Sequence, residues 1–278
     1  MSNPGRLVLV ATPIGNLGDL SPRAAATLAA ADVVCCEDTR HSRKLFTALG
    51  LRTPTLVAVH KDNELARVRE ILELLADGKT VALVTDAGTP AVSDPGRHVV
   101  EAAAAAGVEI ESIPGPSAVT TALAASGFTG DRFVFEGFLP RSGRDRRARL
   151  EAIAVETRTV VFYEAPTRVA KTLHELAETC GFDRQVVVGR ELTKIHEEYW
   201  RGGLAAAALH FADGARGEFV VVIEGAPAGT QHVSDDVIVA ALDDARAAGA
   251  STRTAADDVA QLLGVPRNRV YKLAVSRA

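Results

Sequence analysis

The chain has 278 residues, of which 47% are hydrophobic and 24% are charged, and its formal net charge is −4 at pH 7. This composition excludes a disordered, collagen-like or strongly basic chain, so any contact with nucleic acid must come from local basic patches. We find no run of roughly 18 apolar residues and no apolar core of a secretion signal. Cysteines at 35, 36 and 180 fit neither a disulfide framework nor a zinc site, so we expect a reduced, cytoplasmic protein.

The first 115 residues alternate between short apolar runs and Ala/Leu-rich segments. We predict strands at 6–10, 33–36, 55–59, 80–85 and 108–113, and helices at 22–31, 40–49, 64–76 and 97–106. Ser21 is a good N-cap, and Pro22 suits the first helical position because an N–H there would have no partner within the helix. This alternation predicts an α/β domain over residues 1–115 with a largely parallel sheet.

The pattern changes after "PGPS" at 114–117, which predicts a boundary turn. We predict strands at 133–138, 159–163, 185–190, 197–200 and 217–224, with helices at 118–126, 144–154, 166–179 and 204–212. These elements predict a second α/β domain over residues 116–226, with a mixed sheet.

The stretch "GAPAGTQ" at 225–231 is typical of a linker, and residues 233–278 predict a small helical domain. Gly264, Val265 and Pro266 form a tight turn between two helical segments, as in a helix-turn-helix unit. The last helix carries the candidate RNA-binding residues Arg267, Arg269 and Lys272. The alternative is a small capping bundle with a solvated basic face, and the residues do not choose between the two.

Three loops rich in Gly and Pro follow predicted strands: "ATPIGNLGD" at 11–19, "TDAGTPAVSDPG" at 85–96 and "IPGPSAV" at 113–119. Ligands of parallel sheets bind beyond the carboxyl ends of the strands, so three such loops can converge on one crevice. Gly and Pro bring bare backbone close to a ligand and hold it rigidly. One such loop alone is more often a plain turn, but three together favour a ligand site.

The first of these loops does not match the known phosphate-binding patterns. Gly15 and Gly18 are followed by Asp19, with no Lys of a P-loop and no G-x-G-x-x-G spacing. Glu37 and Asp38 follow Gly15 by a little over 20 residues, as a ribose-binding acid would. The sequence therefore favours an adenosine-type ligand without a pyrophosphate.

Nine collinear motifs between about residue 6 and residue 225 carry a resemblance to a known family. They read "LVATPIGNLGDLSPRA", "CEDTRHSRKLF", "HKDNE", "LVTDAGTPAVSDPG", "IPGPSAVTTALAASGF", "FEGFLPR", "FYEAPTRV", "GRELTKIHEEYWRG" and "GEFVVVIEG". Together they resemble the ribosomal RNA small subunit methyltransferase I family, a branch of the tetrapyrrole-methylase superfamily. Gly88-Thr89-Pro90 stands where most members acting on small substrates have G-D-P, which fits the RNA branch.

The resemblance implies S-adenosylmethionine-dependent 2′-O-methylation of a cytidine, cytidine 1402 of 16S rRNA, near the decoding site of the small ribosomal subunit. It implies two α/β domains of the tetrapyrrole-methylase (class III methyltransferase) type, with the cofactor in the cleft between them, and a homodimer. The implied cofactor-binding residues are Pro13, Ile14, Gly15, Gly88, Thr89, Pro90, Val92, Ser117, Ala118, Tyr163, Glu164, Arg190, Glu191 and Glu218.

Methyl transfer from a sulfonium requires an aligned nucleophile about 3 Å from the methyl carbon. A ribose hydroxyl gains from a base or a hydrogen-bond acceptor. The candidate groups for this role are Glu37, Asp38, Asp86, Glu164 and Glu191, with Lys194 as a cationic alternative. The sequence does not choose among them, and alignment alone, with the proton lost to water, is a further alternative.

Binding of RNA requires cations near the site. The segment 140–150 carries Arg141, Arg144, Arg146, Arg147 and Arg149 around a glycine-containing loop, which favours phosphate contacts over a plain solvated helix. Arg40, Arg43 and Lys44 add a second basic group. The seven histidines show no ligand spacing, so we expect no metal site.

Two other functions remain open from the residues and the resemblance. One is an enzyme of the same fold that methylates a small tetrapyrrole, against which the arginine cluster and the helical tail argue. The other is a non-catalytic RNA-binding factor for ribosome assembly that keeps S-adenosylmethionine only as a ligand.

Overall fold

The computed structural model describes residues 5–227, 233–265 and 267–276. Most of the predicted linker and Pro266 of the predicted turn lie outside them. The chain divides into two compact units, one formed by residues up to Thr121 together with Leu192–Ile195, the other by the remaining residues. The domain boundaries expected from the sequence stay predictions. Within the described part of the chain, no helix is both long and apolar enough to cross a membrane.

The first unit contains a five-stranded sheet in which every strand pair is parallel, as the sequence predicts. Its strand order is β3-β2-β4-β1-β5. The strands are β1 (Arg6–Val10), β2 (Val33–Cys36), β3 (Thr55–Ala58), β4 (Thr80–Leu83) and β5 (Glu109–Ile113).

Helices cover both faces of this sheet. They are α1 (Pro22–Ala30), α2 (Thr39–Ala48), α3 (Glu64–Ala76) and α4 (Arg97–Ala105). Helix α5 (Ala118–Ser126) follows β5 in the chain. Leu28 of α1 and Phe46 of α2 pack on one set of alternate strand residues, while Ile71 of α3 and Val99 of α4 pack on the other set. Alternate residues of a strand point to opposite faces, so the sheet is doubly wound and its carboxyl edge is left to the loops.

Local sequence explains the first helix boundary. Ser21 accepts a hydrogen bond from the backbone N–H of Ala24 at 3.1 Å, and Pro22 begins α1. Both features confirm the predicted start of this helix, because the hydroxyl satisfies an N–H that the helix itself leaves unpaired.

The second unit contains a mixed sheet with the order β6-β7-β10-β8-β9. Strands β6 and β7 are parallel and the other pairs are antiparallel, as predicted for a mixed sheet. The strands are β6 (Phe133–Phe138), β7 (Thr159–Glu164), β8 (Gln185–Arg190), β9 (Glu198–Gly203) and β10 (Phe219–Ile223). The helices are α6 (Gly143–Val155), α7 (Val169–Cys180), α8 (Leu204–His210), α9 (Asp235–Ala247), α10 (Thr252–Leu263) and α11 (Arg267–Val275).

Two boundaries in this unit differ from the sequence prediction by three residues, and the other predicted boundaries differ by two or fewer. Strand β9 continues through Gly202 and Gly203, because the Trp200 ring covers Gly202 and the pairing with β8 extends to Gly203. Helix α7 begins at Val169 instead of Pro166. The intervening residues form a turn that is closed by a hydrogen bond from Arg168 N to the Ala165 carbonyl, at 2.9 Å.

Helices α9 to α11 share a small core of their own. Ile238, Leu242, Val259 and Val270 are buried in it. Gly264 adopts the left-handed conformation, at φ +62°, and ends α10 before α11 starts. The predicted helix–turn–helix succession is therefore present around this core.

A buried polar network ties α6 and α7 to the end of β7. The Glu164 side chain has no solvent exposure, pairs with Arg168 at 2.5 Å and accepts the Thr172 hydroxyl at 2.6 Å. Thr172 in turn accepts an N–H of Arg146 at 2.8 Å, and Arg146 pairs with Glu175 at 2.5 Å. Every charge in this network has a partner, so removing one partner exposes the others to the full cost of burial.

This network predicts a specific stability defect. We expect Arg146→Ala to lower the free energy of unfolding by about 3–5 kcal/mol, because Glu175 and Thr172 lose their buried donor. Urea unfolding followed by circular dichroism measures the change. The matched control is Arg147→Ala, one residue along the same helix and exposed, for which we expect a change within about 0.5 kcal/mol. Equal effects of the two substitutions would contradict the assignment.

Candidate active site

The first two Gly/Pro loops are joined by a short backbone bridge. Thr12 N donates to the Gly88 carbonyl at 2.9 Å, and Gly88 N donates to the Thr12 carbonyl at 3.1 Å. The buried Thr12 hydroxyl also donates to the Thr85 carbonyl at 3.0 Å. The loop after β1 is thereby fixed against the loop after β4.

The third loop meets the other two at the same place. A Cβ added to Gly115 would lie 3.0 Å from Ala11 Cβ, and one added to Gly88 would lie 3.5 Å from Ile14 Cγ2 and 3.9 Å from the Pro116 carbonyl oxygen. The expectation that the three loops converge is thus confirmed. Gly88 has φ +86°, a conformation that favours glycine, and it stands where all three loops approach.

A fourth segment, Leu192–Ile195, packs on the first loop. A Cβ at Gly15 would lie 2.5 Å from Lys194 Cγ and 2.8 Å from Thr193 Oγ1, so this approach requires glycine. Sequence reasoning singled out Lys194 as a reactive group but missed the contact of its segment with the first loop. Only the motif "GRELTKI" marked the segment.

Strained backbone is concentrated at these loops. Within the described ranges, the residues other than glycine with positive φ are Ala91 and Ser93, both at 65°, Glu191 at 51° and Thr193 at 67°. Such conformations cost on the order of 1–3 kcal/mol each and persist where the surrounding structure enforces them, often at functional sites. Two of the four lie in the loop after β4, and the other two lie in or next to Leu192–Ile195.

Carboxylates follow β2 and β4 at the carboxyl edge of the sheet. Asp38 N donates to Asp86 Oδ1 at 3.2 Å, which connects the two loops. Hydrogen bonds from the Arg40 side chain hold the pKa of Asp38 well below its usual range, so this group is a weak base. Burial, and then the charge of Asp86, raise the pKa of Glu37. Of Glu37 and Asp38, Glu37 is therefore the stronger base.

Asp94 belongs to the same acidic group, and the sequence analysis missed it. Burial raises the pKa of Asp94 to about 6, with the Thr85 hydroxyl opposing the shift and the charges of Glu37 and Asp86 adding to it. The signal in the sequence was an acid inside the Gly/Pro loop "TDAGTPAVSDPG". Its burial depends on the folded loop and is not encoded locally.

The predicted roles of the Glu164 carboxylate as a base and in cofactor binding need correction, because both of its oxygens form contacts within the protein. Oε1 accepts the N–H of Ala165 at 2.8 Å and pairs with Arg168, while Oε2 accepts the Thr172 hydroxyl. With both oxygens occupied and no exposed side-chain surface, the Glu164 carboxylate is not available to a substrate proton or to a cofactor.

Three other predicted residues of the second unit lie together. Glu191 Oε1 accepts the Glu218 N–H at 2.9 Å, and Glu191 N donates to the Glu218 carbonyl at 2.9 Å. Arg190 donates to the Arg216 carbonyl at 2.8 Å and pairs with Glu198 at 3.3 Å. These contacts hold the end of β8 to the start of β10, and roles in cofactor binding stay predictions.

Tyr163, also predicted for the cofactor, contacts two aromatic rings. Its ring centroid lies 5.1 Å from that of Phe135 and 5.4 Å from that of Phe138. The remaining predicted cofactor residues, all in the first unit, lie in or directly beside the three loops: Pro13, Thr89, Pro90, Val92, Ser117 and Ala118. Their roles stay predictions.

The basic residues of α2 line one side of a depression of about 490 Å³. Arg40, Arg43 and Lys44 contribute the charges, and Arg40 is held by Asp38 at 2.7 Å. The positive charges of the depression therefore lie in the first two turns of α2, directly after the acidic residues Glu37 and Asp38 in the chain.

The arginines of 141–149 divide into exposed and engaged residues. Arg141, Arg144 and Arg147 are exposed, and no described residue forms a hydrogen bond or ion pair with any of them. Arg149 pairs with Glu136 at 2.6 Å. The prediction that Arg146 contacts RNA needs correction. Arg146 is only 5% exposed, and its guanidinium donates hydrogen bonds within the buried network.

The three predicted basic residues of α11 all have acidic partners. Arg267 pairs with Asp257, Arg269 pairs with Asp235 at 2.7 Å, and Lys272 pairs with Glu178 at 3.3 Å. These ion pairs reduce the positive charge that α11 presents to a polyanion. Across the described ranges, no group of three or more His, Cys, Asp and Glu side chains is arranged to hold a metal ion.

Comparisons with solved structures agree with this fold. The methyltransferase CobJ is 25% identical, with a TM-score of 0.61 over 83% of this chain and 97% of its own. The uroporphyrin-III C-methyltransferase of Thermus thermophilus, solved in complex with S-adenosylhomocysteine, is 22% identical, with a TM-score of 0.55 over 78% of this chain and 97% of its own. The latter likeness concerns the fold alone.

Comparisons with sequences are more specific. A family model for tetrapyrrole (corrin/porphyrin) methylases matches residues 6–208. The ribosomal RNA small subunit methyltransferase I of Synechocystis sp. is 43% identical over 98% of both chains. The protein of the same name from Xylella fastidiosa is 49% identical over 81% of this chain and 84% of its own. The chain therefore belongs to the tetrapyrrole methylase family and, within it, to the ribosomal RNA small subunit methyltransferase I family.

Proposed function

We propose that this chain transfers a methyl group from S-adenosylmethionine to the 2′-hydroxyl of a cytidine in 16S rRNA, cytidine 1402 by resemblance. The observation that carries the proposal is the convergence of three Gly/Pro loops around Gly88, on a chain whose relatives are named for methylation of small subunit ribosomal RNA. Such relatives cover nearly the whole chain.

The residues at the three loops fit S-adenosylmethionine. This molecule carries no phosphate, and the loops offer backbone groups without the Lys of a triphosphate-binding P-loop and without the G-x-G-x-x-G spacing of a dinucleotide site. At Gly88 a Cβ would occupy the space beside Ile14, so the backbone stays open to a ligand. When bound, the cofactor would supply an activated methyl group. The residues proposed to hold it are Pro13, Ile14, Gly15, Gly88, Thr89, Pro90, Val92, Ser117 and Ala118.

Two groups of cations support an RNA substrate. Arg141, Arg144 and Arg147 are exposed without partners among the described residues, which leaves their charges available for phosphates. Arg43 and Lys44 add charge beside the acidic end of β2. A ribosomal substrate implies a cytoplasmic enzyme. The resemblance adds a homodimer, for which light scattering should give twice the monomer mass.

Methyl transfer can be tested with small ribosomal subunits from a strain that lacks the corresponding methyltransferase. With tritiated S-adenosylmethionine we expect label in 2′-O-methylcytidine after nuclease digestion. Label on a tetrapyrrole acceptor and not on RNA would instead favour an enzyme of the same fold with a small substrate. Binding of S-adenosylmethionine without label on any RNA would contradict the proposal and favour an assembly factor.

The cofactor site predicts a defect for Gly88→Ala. An alanine at φ +86° would be strained, and relief of that strain would move the backbone where the three loops meet, so we expect the affinity for S-adenosylhomocysteine to fall by at least about tenfold in calorimetry. The matched control is Gly50→Ala, which also has positive φ, at +65°, but has nothing within 4 Å of its added Cβ. We expect this control to lose stability and to keep its affinity. Unchanged affinity of Gly88→Ala would count against the site.

The RNA surface predicts a change in salt dependence. Replacing Arg141, Arg144 and Arg147 together by Ala should weaken binding to the small subunit and reduce the slope of log K against log salt by about 2. Affinity for S-adenosylhomocysteine should stay constant. Arg52→Ala, at another exposed arginine, serves as the control and should leave the slope nearly unchanged. An unaltered slope in the triple variant would assign the three arginines to the solvated surface.

A further inference from the structure

The topology of the first sheet opens a crevice between β2 and β4. These strands are neighbours and run parallel. After β2 the chain continues through α2 to the edge strand β3, and after β4 it continues through α4 to the opposite edge strand β5. The two helices lie on opposite faces of the sheet. Where successive connections diverge in this way, a crevice forms outside the carboxyl ends and commonly binds ligands.

Acidic residues lie in the loops on both sides of this crevice. Glu37 is the first residue after β2. Asp86 is the third residue after β4, and Asp94 lies further along the same loop. The hydrogen bond from Asp38 N to Asp86 Oδ1, at 3.2 Å, fixes the two loops to each other. We refer to Glu37, Asp86 and Asp94 together with Thr85 as the acidic crevice.

The Thr85 hydroxyl is the unexplained group of the acidic crevice. Thr85 is only 3% exposed, and its Oγ1 has no hydrogen-bond partner among the described residues. The hydroxyl lies close to two carboxyl groups, since it lowers the pKa of both Glu37 and Asp94. Buried hydroxyl groups nearly always have a hydrogen-bond partner, so a polar group of a ligand in the crevice would supply the one that Thr85 lacks.

The surroundings of these carboxyl groups allow a proton to be taken up near neutral pH. The pKa of Asp94 is raised to about 6, mainly by burial and further by the charges of Glu37 and Asp86. Glu37 faces Asp86 and, with the opposite effect, His60, while His41 of α2 lies 3.9 Å from Asp86. A group with a pKa just below the working pH is well suited to accept a proton from a substrate.

The backbone holds Asp94 in place at a cost. Ala91 and Ser93 both have φ 65°, and Ala91 N donates to the Pro95 carbonyl at 3.2 Å, which closes a tight turn around Asp94. Gly96, at φ 123°, packs directly on the Leu83 side chain at the end of β4. Strain of this kind at a loop that places a carboxylate is typical of a functional position.

We propose that the acidic crevice receives the ribose hydroxyl of the nucleotide to be methylated and that Asp94 accepts the proton of that hydroxyl. This inference rests on the proposed function and selects its base. The O–H bond breaks and its proton moves to an Asp94 carboxylate oxygen. The ribose oxygen forms a bond to the methyl carbon of a methyl sulfonium donor, the carbon–sulfur bond breaks, and its electron pair stays on sulfur. The proton then leaves Asp94 for water.

A first experiment compares wild type, Asp94→Asn and the control Asp131→Asn, an exposed acid of the second unit. Single-turnover methyl transfer to undermethylated small subunits is measured from about pH 5 to 8.5, with saturating S-adenosylmethionine. The wild-type rate should rise with pH up to about 7 and then level off, because Asp94 must be deprotonated. Asp94→Asn should be slower by at least about 100-fold and should lose this rise, and the control should match wild type.

Calorimetry with S-adenosylhomocysteine on the same variants shows whether the crevice holds the ribose of the RNA substrate or the ribose of the cofactor. Asp94→Asn should bind it within about fivefold of wild type if the crevice serves the substrate ribose. A larger loss would overturn the proposal, because the crevice would then hold the ribose of the cofactor. The same measurement shows that the variant is folded and can bind.

Thr85→Val supplies a second, independent variant. Because the Thr85 hydroxyl lowers the pKa of Asp94, its removal should shift the pH-dependent rise in rate to higher pH. An Asp94→Asn variant that keeps the wild-type rate and its pH dependence, beside an active wild type, would overturn this inference alone. A wild type that labels no RNA would overturn the proposed function, and the inference with it.

Discussion

The pair of backbone hydrogen bonds between Thr12 and Gly88 is the constraint on which the site of the first unit depends. It exists because β1 and β4 are neighbouring parallel strands, so the loops that follow them leave the same edge of the sheet. The bridge brings Ile14 and Pro116 close to Gly88, whose φ of +86° favours glycine. The loops then present backbone groups to a ligand, which suits a cofactor with no phosphate.

The charged residues fall into two classes with different physical roles. Arg146 and Glu164 are buried and are linked through the Thr172 hydroxyl, and the half-buried Arg168 pairs with Glu164, so these residues tie α6 and α7 to the end of β7. Arg141, Arg144 and Arg147 of the same segment are exposed, have no partners among the described residues and keep their full charge for a polyanion. Burial therefore separates structural charges from available ones within a single run of sequence.

Much of the fold follows from local patterns, and the site follows only in part. Alternating apolar runs, the N-cap Ser21 and the Gly/Pro loops predicted the strands, the helices and the place where the loops meet. The burial of Arg146 escaped prediction because its partners lie 26 and 29 residues away in the sequence. The environment of Asp94 and the contact of Lys194 with the first loop likewise arise from distant segments that only the folded chain brings together.

A crystal structure of the full chain with S-adenosylhomocysteine tests the central claim most directly, since that claim concerns where the cofactor binds. Our account predicts the ligand against the backbone of Ile14, Gly88 and Ser117, with Asp94 beyond it in the acidic crevice. A ligand bound away from the three loops would contradict the account. So would a ligand whose own ribose occupies the acidic crevice.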